Sequence, residues 1–364
     1  VKTTRKFLRP RWQKVLSDLW SNRVRSLLVI ISIAVGLFAV GLIATTYAVI
    51  KVDMVSSYAT ANPANIQLTF AGFSDGYVDA AKNVPGVSAA EGVRNFSVQI
   101  KTGENEYIRS NLRAVQNFDK MNINRVRLLE GAWPPKDKEI VFDRHKLEEI
   151  HASVGDMVVV KLPDGKEKEI RLAGVVQDQT IGSSFGGGGY FVAQLQGYVT
   201  FDTLEWLEQP KIMNQLYATV AEDANNPAHI QQIASEITHK FEQNNILAIN
   251  TVIRRSNEHP NMIYVDAMTA ILYTLGFLVV FLSGFLIVNT LSALLNQQTE
   301  QIGVMKSVGG RRKDIISIFM ALIVAYSLLA LAIAAPLASP AAFAILKVIS
   351  EQINFNLGPF RQEP

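Results

Sequence analysis

The chain has 364 residues, with 35 Lys and Arg against 32 Asp and Glu, a net charge of +3 and 49% hydrophobic content. Those totals suit a globular protein, but the windows Ser26–Ile50, Ala267–Thr299 and Ile315–Leu346 hold no charge at all. A wholly soluble chain is excluded, as are a collagenous and a disordered one, and zero cysteines exclude a disulfide framework and any thiolate metal site.

Residues 1–25 carry Lys2, Arg5, Lys6, Arg9, Arg11, Lys14, Arg23 and Arg25 against Asp18 alone. Among them Trp12, Leu16, Leu19 and Trp20 fall on one helical face, which predicts an interfacial amphipathic helix, since Trp favours the headgroup level. The plainer alternative is a basic flank that contains aromatics. Ser26–Ile50 must be a helix, because a lone strand in lipid leaves its backbone polar groups unpaired. Its apolar stretch exceeds the roughly 7–15 residues of a signal-peptide core, so it reads as a retained span.

Residues 51–262 alternate between α and β patterns. Asn65–Phe70 reads as a strand and Asp75–Asn83 as a short helix stopped by Val84-Pro85-Gly86, followed by strands at Ser97–Lys101 and Tyr107–Val115. From about residue 125 to 205 the texture is β-rich, with strands at Glu139–Phe142, Met157–Leu162 and Lys168–Val176 and a hairpin turn at Pro163-Asp164-Gly165. Asn214–Val220 then reads as a strand, Ala228–Asn244 as a helix and Leu247–Ile253 as a further strand. The α+β parts are thus expected at about 60–120 and 211–255, around a small β-rich insertion at about 125–205.

The second span is expected at 267–295, and the loop 296–314 carries Lys306, Arg311, Arg312 and Lys313 against Glu300 and Asp314. The third span covers 315–346, kinked or ending near Pro336, and 347–364 forms a tail. Lys and Arg concentrate in 1–25 and in the 296–314 loop, whereas 51–262 carries 21 basic and 26 acidic groups. By the positive-inside rule the first two segments face the cytoplasm, and 51–262 and the tail face outward. The predicted fold class is therefore a membrane protein, with three transmembrane helices and a large α+β extracytoplasmic domain containing a small β-rich insertion.

Chemistry-bearing motifs are sparse. Gly182-Ser183-Ser184-Phe185-Gly186 matches the G-x-S-x-G nucleophile elbow, which works only between an incoming strand and an outgoing helix. The glycines at 187–189 oppose such a helix, so a glycine-rich loop is the expectation. No G-x-x-x-x-G-K-[ST] phosphate loop exists, and the five histidines lack H-E-x-x-H spacing. No charged residue sits centrally in any span, which gives no support to an ion-conducting mechanism. The basic N-terminus abuts a span, where anionic lipid accounts for it better than nucleic acid does.

The segment from Thr299 through Gln301-Ile302-Gly303-Val304-Met305-Lys306-Ser307-Val308-Gly309-Gly310 to Arg311 and Arg312 resembles the loop between the second and third spans of FtsX-like permeases in MacB-type ABC transporters. Their pattern is E-I-G-x-x-[RK]-A-[IL]-G-A; here Gln301 stands for the glutamate, with Glu300 one place earlier, and Ser307 stands for the alanine. Leu19–Leu27 running into Ile33-Ala34-Val35-Gly36 resembles the family's first span. Val84-Pro85-Gly86-Val87, Glu139-Ile140-Val141, Gly155-Asp156 and Gly174-Val175-Val176 resemble the MacB-like core.

The resemblance implies a permease subunit that couples ATP hydrolysis in a partner to movement of its outward domain, for export or extraction of a lipoprotein, peptide or drug-like substrate. The alternatives are a non-transporting mechanotransmitter that controls a cell-wall hydrolase, and a membrane-tethered hydrolase using Ser184. The coupling loop would comprise Glu300, Gln301, Ile302, Gly303, Met305, Lys306, Val308, Gly309, Arg311 and Arg312. Ile302, Met305 and Val308 would dock, and the cations would orient them; the plainer alternative is a basic loop touching lipid headgroups. No cofactor is expected on this chain and no catalytic role, with ATP and Mg in the partner ATPase. A second permease half or copy and membrane lipid are further expected partners, in the plasma (inner) membrane. The family's half-unit has four spans, and this sequence starts at Val1 and shows three, so it is expected to be a fragment lacking the fourth.

Overall fold

The structure, a computed structural model, describes residues 23–360 apart from 145–146, 182–183, 186–190, 193–194, 298, 308, 310 and 353. The interfacial helix expected before Trp20 lies outside the described residues. In chain order, α1 (Arg23–Thr60) precedes β1 (Ile66–Phe73), α2 (Asp75–Lys82), β2 (Val87–Lys101) and β3 (Tyr107–Val115). Next come β4 (Arg127–Gly131), β5 (Glu139–Asp143), α3 (Leu147–Ile150), β6 (Met157–Lys161) and β7 (Glu167–Gln177). The strands β8 (Ser184–Phe185), β9 (Phe191–Val192) and β10 (Leu195–Thr200) lead to α4 (Phe201–Trp206) and β11 (Met213–Val220). The chain closes with α5 (Pro227–Glu242), β12 (Ala248–Ile253), α6 (Met262–Gln297), α7 (Thr299–Ser307) and α8 (Arg312–Gln352).

Contacts divide the chain into two units, one of residues 52–263 with 350–356 and the other of the remainder. Among the described residues three stretches are long and apolar enough to cross a membrane, Ser26–Thr60, Met262–Asn289 and Phe319–Glu351. In the helical unit Val29, Ile30 and Ile33 of α1 pack with Leu322, Tyr326 and Ala330 of α8, and Ser26 Oγ lies 3.1 Å from Tyr326 Oη. Small residues bring the helices close: a β-carbon at Gly36 would sit 3.0 Å from Ser283 Oγ, and one at Gly41 3.1 Å from Ala338. Phe277, Phe281 and Phe285 of α6 remain exposed, as suits a helix bathed in lipid.

One sequence expectation needs correction here. Of the two alternatives at Pro336, a kink or an end, the end does not hold: helix α8 continues through Pro336 and Pro340 to Gln352, so residues 347–352 are its last turns rather than tail. Proline is tolerated inside membrane helices, where neighbouring helices and local adjustment satisfy the freed backbone groups.

The other unit is built on a ten-stranded sheet in the order β12-β1-β11-β2-β3-β10-β5-β7-β4, with β6 pairing β2 and β7. Helices α2 and α5 cover one end. The residues Ile230, Ile233, Ala234, Ile237 and Phe241 recur at helical spacing and bury against Ile66, Leu68 and Phe70 of β1. Asn226 Oδ1 accepts from Ala228 N at 3.1 Å, and Pro227 supplies the first helical residue, which together start α5. The β-rich insertion contributes β4–β7 and β10 and a second apolar cluster around Ile100, Leu112, Phe142 and Leu172. Its strands extend the same sheet, because β2 is 15 residues long: Val87–Val93 pairs with β11, and Val93–Lys101 pairs with β3.

Candidate functional site

Helix α7 lies between the two later spans and carries most of the predicted coupling residues. Glu300 sits in its first turn and Lys306 in its last, so each charge complements the helix dipole. Gly309, at φ +94°, donates its N–H to Lys306 O at 3.0 Å and closes the helix in a left-handed turn that glycine adopts without strain. Gln301, Ile302, Gly303 and Met305 also fall in α7, Arg311 follows the turn, and Arg312 opens α8. The side chains of Gln301, Ile302, Met305 and Arg312, and all of Val308, lie outside the described residues, and so does the docking face expected of them. Val304, which that expectation passed over, is 62% exposed on the same helix.

The sheet unit holds a buried polar cluster that sequence reasoning missed. Asp178, one residue past β7, is fully buried and accepts from Arg113 Nη1 at 3.5 Å and from the Tyr198 hydroxyl. Its N–H donates to Asp143 Oδ2 at 2.7 Å. Arg113 lies 5.5 Å from the centre of the Tyr198 ring and 5.1 Å from that of Tyr217. Burial disfavours the Arg113 charge, but Tyr217, Tyr198 and Asp178 outweigh it and hold its pKa above the ordinary value. Burial and the facing Asp178 carboxylate push the Tyr198 hydroxyl well up, so it stays protonated and able to donate.

The segment that ends α8 joins this cluster. Asn354 Nδ2 donates to Asp178 O at 2.6 Å, and Gln177 Nε2 donates to Asn354 Oδ1 at 3.3 Å. Arg144 Nη2 donates to Glu351 O at 3.3 Å. Nearby, His259 Nδ1 accepts from Asn261 N at 3.1 Å, and its ring meets Tyr58 edge to face at 5.2 Å. Burial depresses its pKa to about 4, with the adjacent Asn354 backbone opposing and Arg254 reinforcing that shift. A cleft of about 790 Å³ lies beside β2, lined by Asp75, Asp79, Glu91, Arg113 and Met213 among others. Its lining comes from four separate stretches of chain, so no local pattern in the sequence marks it.

Of the G-x-S-x-G match, Ser184 and Phe185 pair antiparallel with Val192 and Phe191 as a two-stranded ribbon, and its three other residues lie outside the described ones.

Residues 26–239 match the MacB-like periplasmic core domain, and residues 273–362 match the FtsX-like permease C-terminal domain. The chain belongs to the FtsX/MacB-type permease family. Solved structures similar to this permease include the extracellular domain of the noncanonic ABC-type transporter YknZ from Gram-positive bacteria, at 14% identity and a TM-score of 0.36, over 51% of this chain and 99% of that one. The periplasmic region of MacB from Actinobacillus actinomycetemcomitans aligns at 14% identity and a TM-score of 0.33, over 53% and 89% of the two chains. A domain of a putative permease protein from Porphyromonas gingivalis aligns at 13% identity and 0.31, over 50% and 85%. No curated relative matches this FtsX/MacB-type permease. Its three spans and large α/β domain are those of an ABC-type membrane permease, a family that implies an ABC ATPase partner. Helix α7 and Asn354 fall within the FtsX-like match, whereas Arg113, Asp143, Asp178 and Tyr198 fall within the MacB-like one.

Proposed function

We propose that this FtsX/MacB-type permease couples ATP hydrolysis in a cytoplasmic partner to movement of an outward-facing α/β domain, for export or extraction of a lipoprotein, peptide or drug-like substrate. In this reading the N-terminus and α7 lie in the cytoplasm of a plasma (inner) membrane protein, and residues 51–262 lie outside. The observation that carries it is α7 itself: a short helix between two spans, with dipole-matched ends and an exposed Val304. An exposed apolar side chain on a short helix suits an apolar groove on a second protein. Glu300, Gln301, Ile302, Gly303, Met305, Lys306, Val308, Gly309, Arg311 and Arg312 form the coupling segment. ATP and Mg are held by the ATPase, and a second permease half or copy completes the membrane pathway.

Deleting 300–312 is expected to abolish co-purification with the ATPase while membrane insertion persists; retained co-purification refutes the assignment. Because the chain has no cysteine, single cysteines report orientation without background. One at Ser88 is expected to react with an impermeant thiol reagent in intact cells and one at Ser307 to stay unreactive, and the reverse pattern overturns the topology. A second reading, mechanotransmission without transport, draws on the buried bonds between the end of α8 and the sheet, since they serve movement whether or not a substrate crosses. ATP-dependent efflux into inverted vesicles distinguishes the two.

A further inference from the structure

We infer that Asn354, with Gln177, Asp178 and Arg144, is the joint through which displacement of the third span enters the α/β domain. The inference rests on the coupling function proposed above and names the residues that would carry it.

A helix end leaves carbonyls without intrahelical partners, and a buried one must find others. At the end of α8 the carbonyls of Ser350 and Glu351 both find partners. Asn354 adopts the left-handed φ of +59°, Phe355 N–H donates to Ser350 O at 3.1 Å, and the Phe355 side chain is buried, which together make a Schellman-type stop. Arg144 takes Glu351 O, and its own N–H is fixed on Val176 O at 2.9 Å, at the end of β7. Anchoring a helix end needs no more than this.

Asn354 goes further. Its amide donates to Asp178 O and accepts from Gln177, so both halves of the side chain hold consecutive residues at the end of β7. Asp178 in turn holds Arg113 on β3 and Tyr198 on β10, both near the middle of the sheet. Every side chain in this series, from Asn354 through Gln177 and Asp178 to Arg113 and Tyr198, is buried. Apolar packing is non-directional and lets surfaces slide, whereas buried hydrogen bonds fix one register and are costly to break. A shift of the end of α8 therefore pulls on β7, and through Asp178 on β3 and β10. The series also links the FtsX-like match, which contains Asn354, to the MacB-like match, which contains the rest. Asn354 is thus a positioning residue rather than a ligand contact.

The test separates the bond from the cap. Glycine keeps a left-handed backbone without strain, so Asn354→Gly preserves the helix stop and removes only the amide. Gln177→Leu removes one partner of that amide at similar volume and leaves α8 unchanged. With the full chain and its ATPase in lipid nanodiscs, spin labels at Ser153→Cys and Ser235→Cys, both exposed and in opposite halves of the domain, report their separation with and without ATP. The expected result is an ATP-dependent change in the parent protein that falls by at least half in Asn354→Gly and in Gln177→Leu, with ATP hydrolysis continuing at the parent rate. A parent-sized change in both variants overturns the joint while leaving the coupling function standing. Altered separation in both variants before ATP is added also overturns it, by reducing the bond to a structural role. If the parent itself shows no change, the coupling function fails and the joint fails with it.

Discussion

His259 makes the α/β domain sensitive to acid in a way that can be calculated. In the folded chain burial holds its pKa at about 4, against an ordinary value of about 6.5. Between those two pH values the unfolded chain binds a proton that the folded chain refuses, so stability falls as the pH falls through this window and levels off below it. A shift of roughly 2.5 units corresponds to about 3 kcal/mol at 1.36 kcal/mol per unit. Carboxylates elsewhere titrate over part of the same range, so the comparison must isolate the ring. His259→Asn does so, because its Oδ1 falls where Nδ1 accepts the Asn261 N–H. Loss of the edge-to-face contact with Tyr58 shifts the variant's curve as a whole and leaves its slope alone. The assay is hydrogen exchange by mass spectrometry on the full chain in nanodiscs, with opening free energies for β1 and β11 amides measured from about pH 7 to 4 and corrected for intrinsic rates. The parent is expected to lose about 3 kcal/mol more than His259→Asn over that range. Parallel curves refute the reasoning.

Three further outcomes are expected. Phe241→Ala, which empties the site stacked on Phe70 at 4.4 Å and touching Phe73 and Tyr77, is expected to cost about 3–5 kcal/mol, read as faster pulse proteolysis of residues 52–263. Arg113→Leu leaves the Asp178 carboxylate buried without its cation, at a cost of about 3–5 kcal/mol, and adding Asp178→Asn is expected to recover part of that loss in the same assay. Val304→Asp places a charge on the exposed face of α7 and is expected to weaken co-purification with the ATPase without changing insertion; unchanged recovery counts against docking through this helix.

How much of this was legible in advance depends on how local the controlling physics is. The spans follow from the absence of charge over whole windows, since lipid leaves no alternative to a helix. The strand at Tyr107–Val115 shows its alternation directly, and Met157–Lys161 shows a run of β-branched valines. The first half of β2 does not, because Ala89-Ala90-Glu91-Gly92 has neither alternation nor β-branched residues, and its pairing with β11 keeps it extended. β4 is exposed along its whole length and gives no hydrophobic signal to read. The polar cluster was beyond reach for another reason: Arg113 and Asp178 are separated by 65 positions and Asp178 and Asn354 by 176. Only the sheet order brings them together. Gln177-Asp178-Gln179 is a polar run directly after an apolar strand, but nothing local names its partners.

The length of β2 limits how this domain could have been assembled or can be taken apart. An inserted module whose ends meet at a loop can be excised like a cassette. Here the strand that lies against β11 at one end is the same strand that lies against β3 and β6 at the other. Removing the β-rich part would strip Val98 and Ile100 of their cluster and leave β3, which pairs with β10 along its inner half, as an open edge, ready to pair with another chain. Domain swaps among relatives should therefore exchange residues 52–263 whole, because a boundary placed anywhere inside β2 cuts both cores at once.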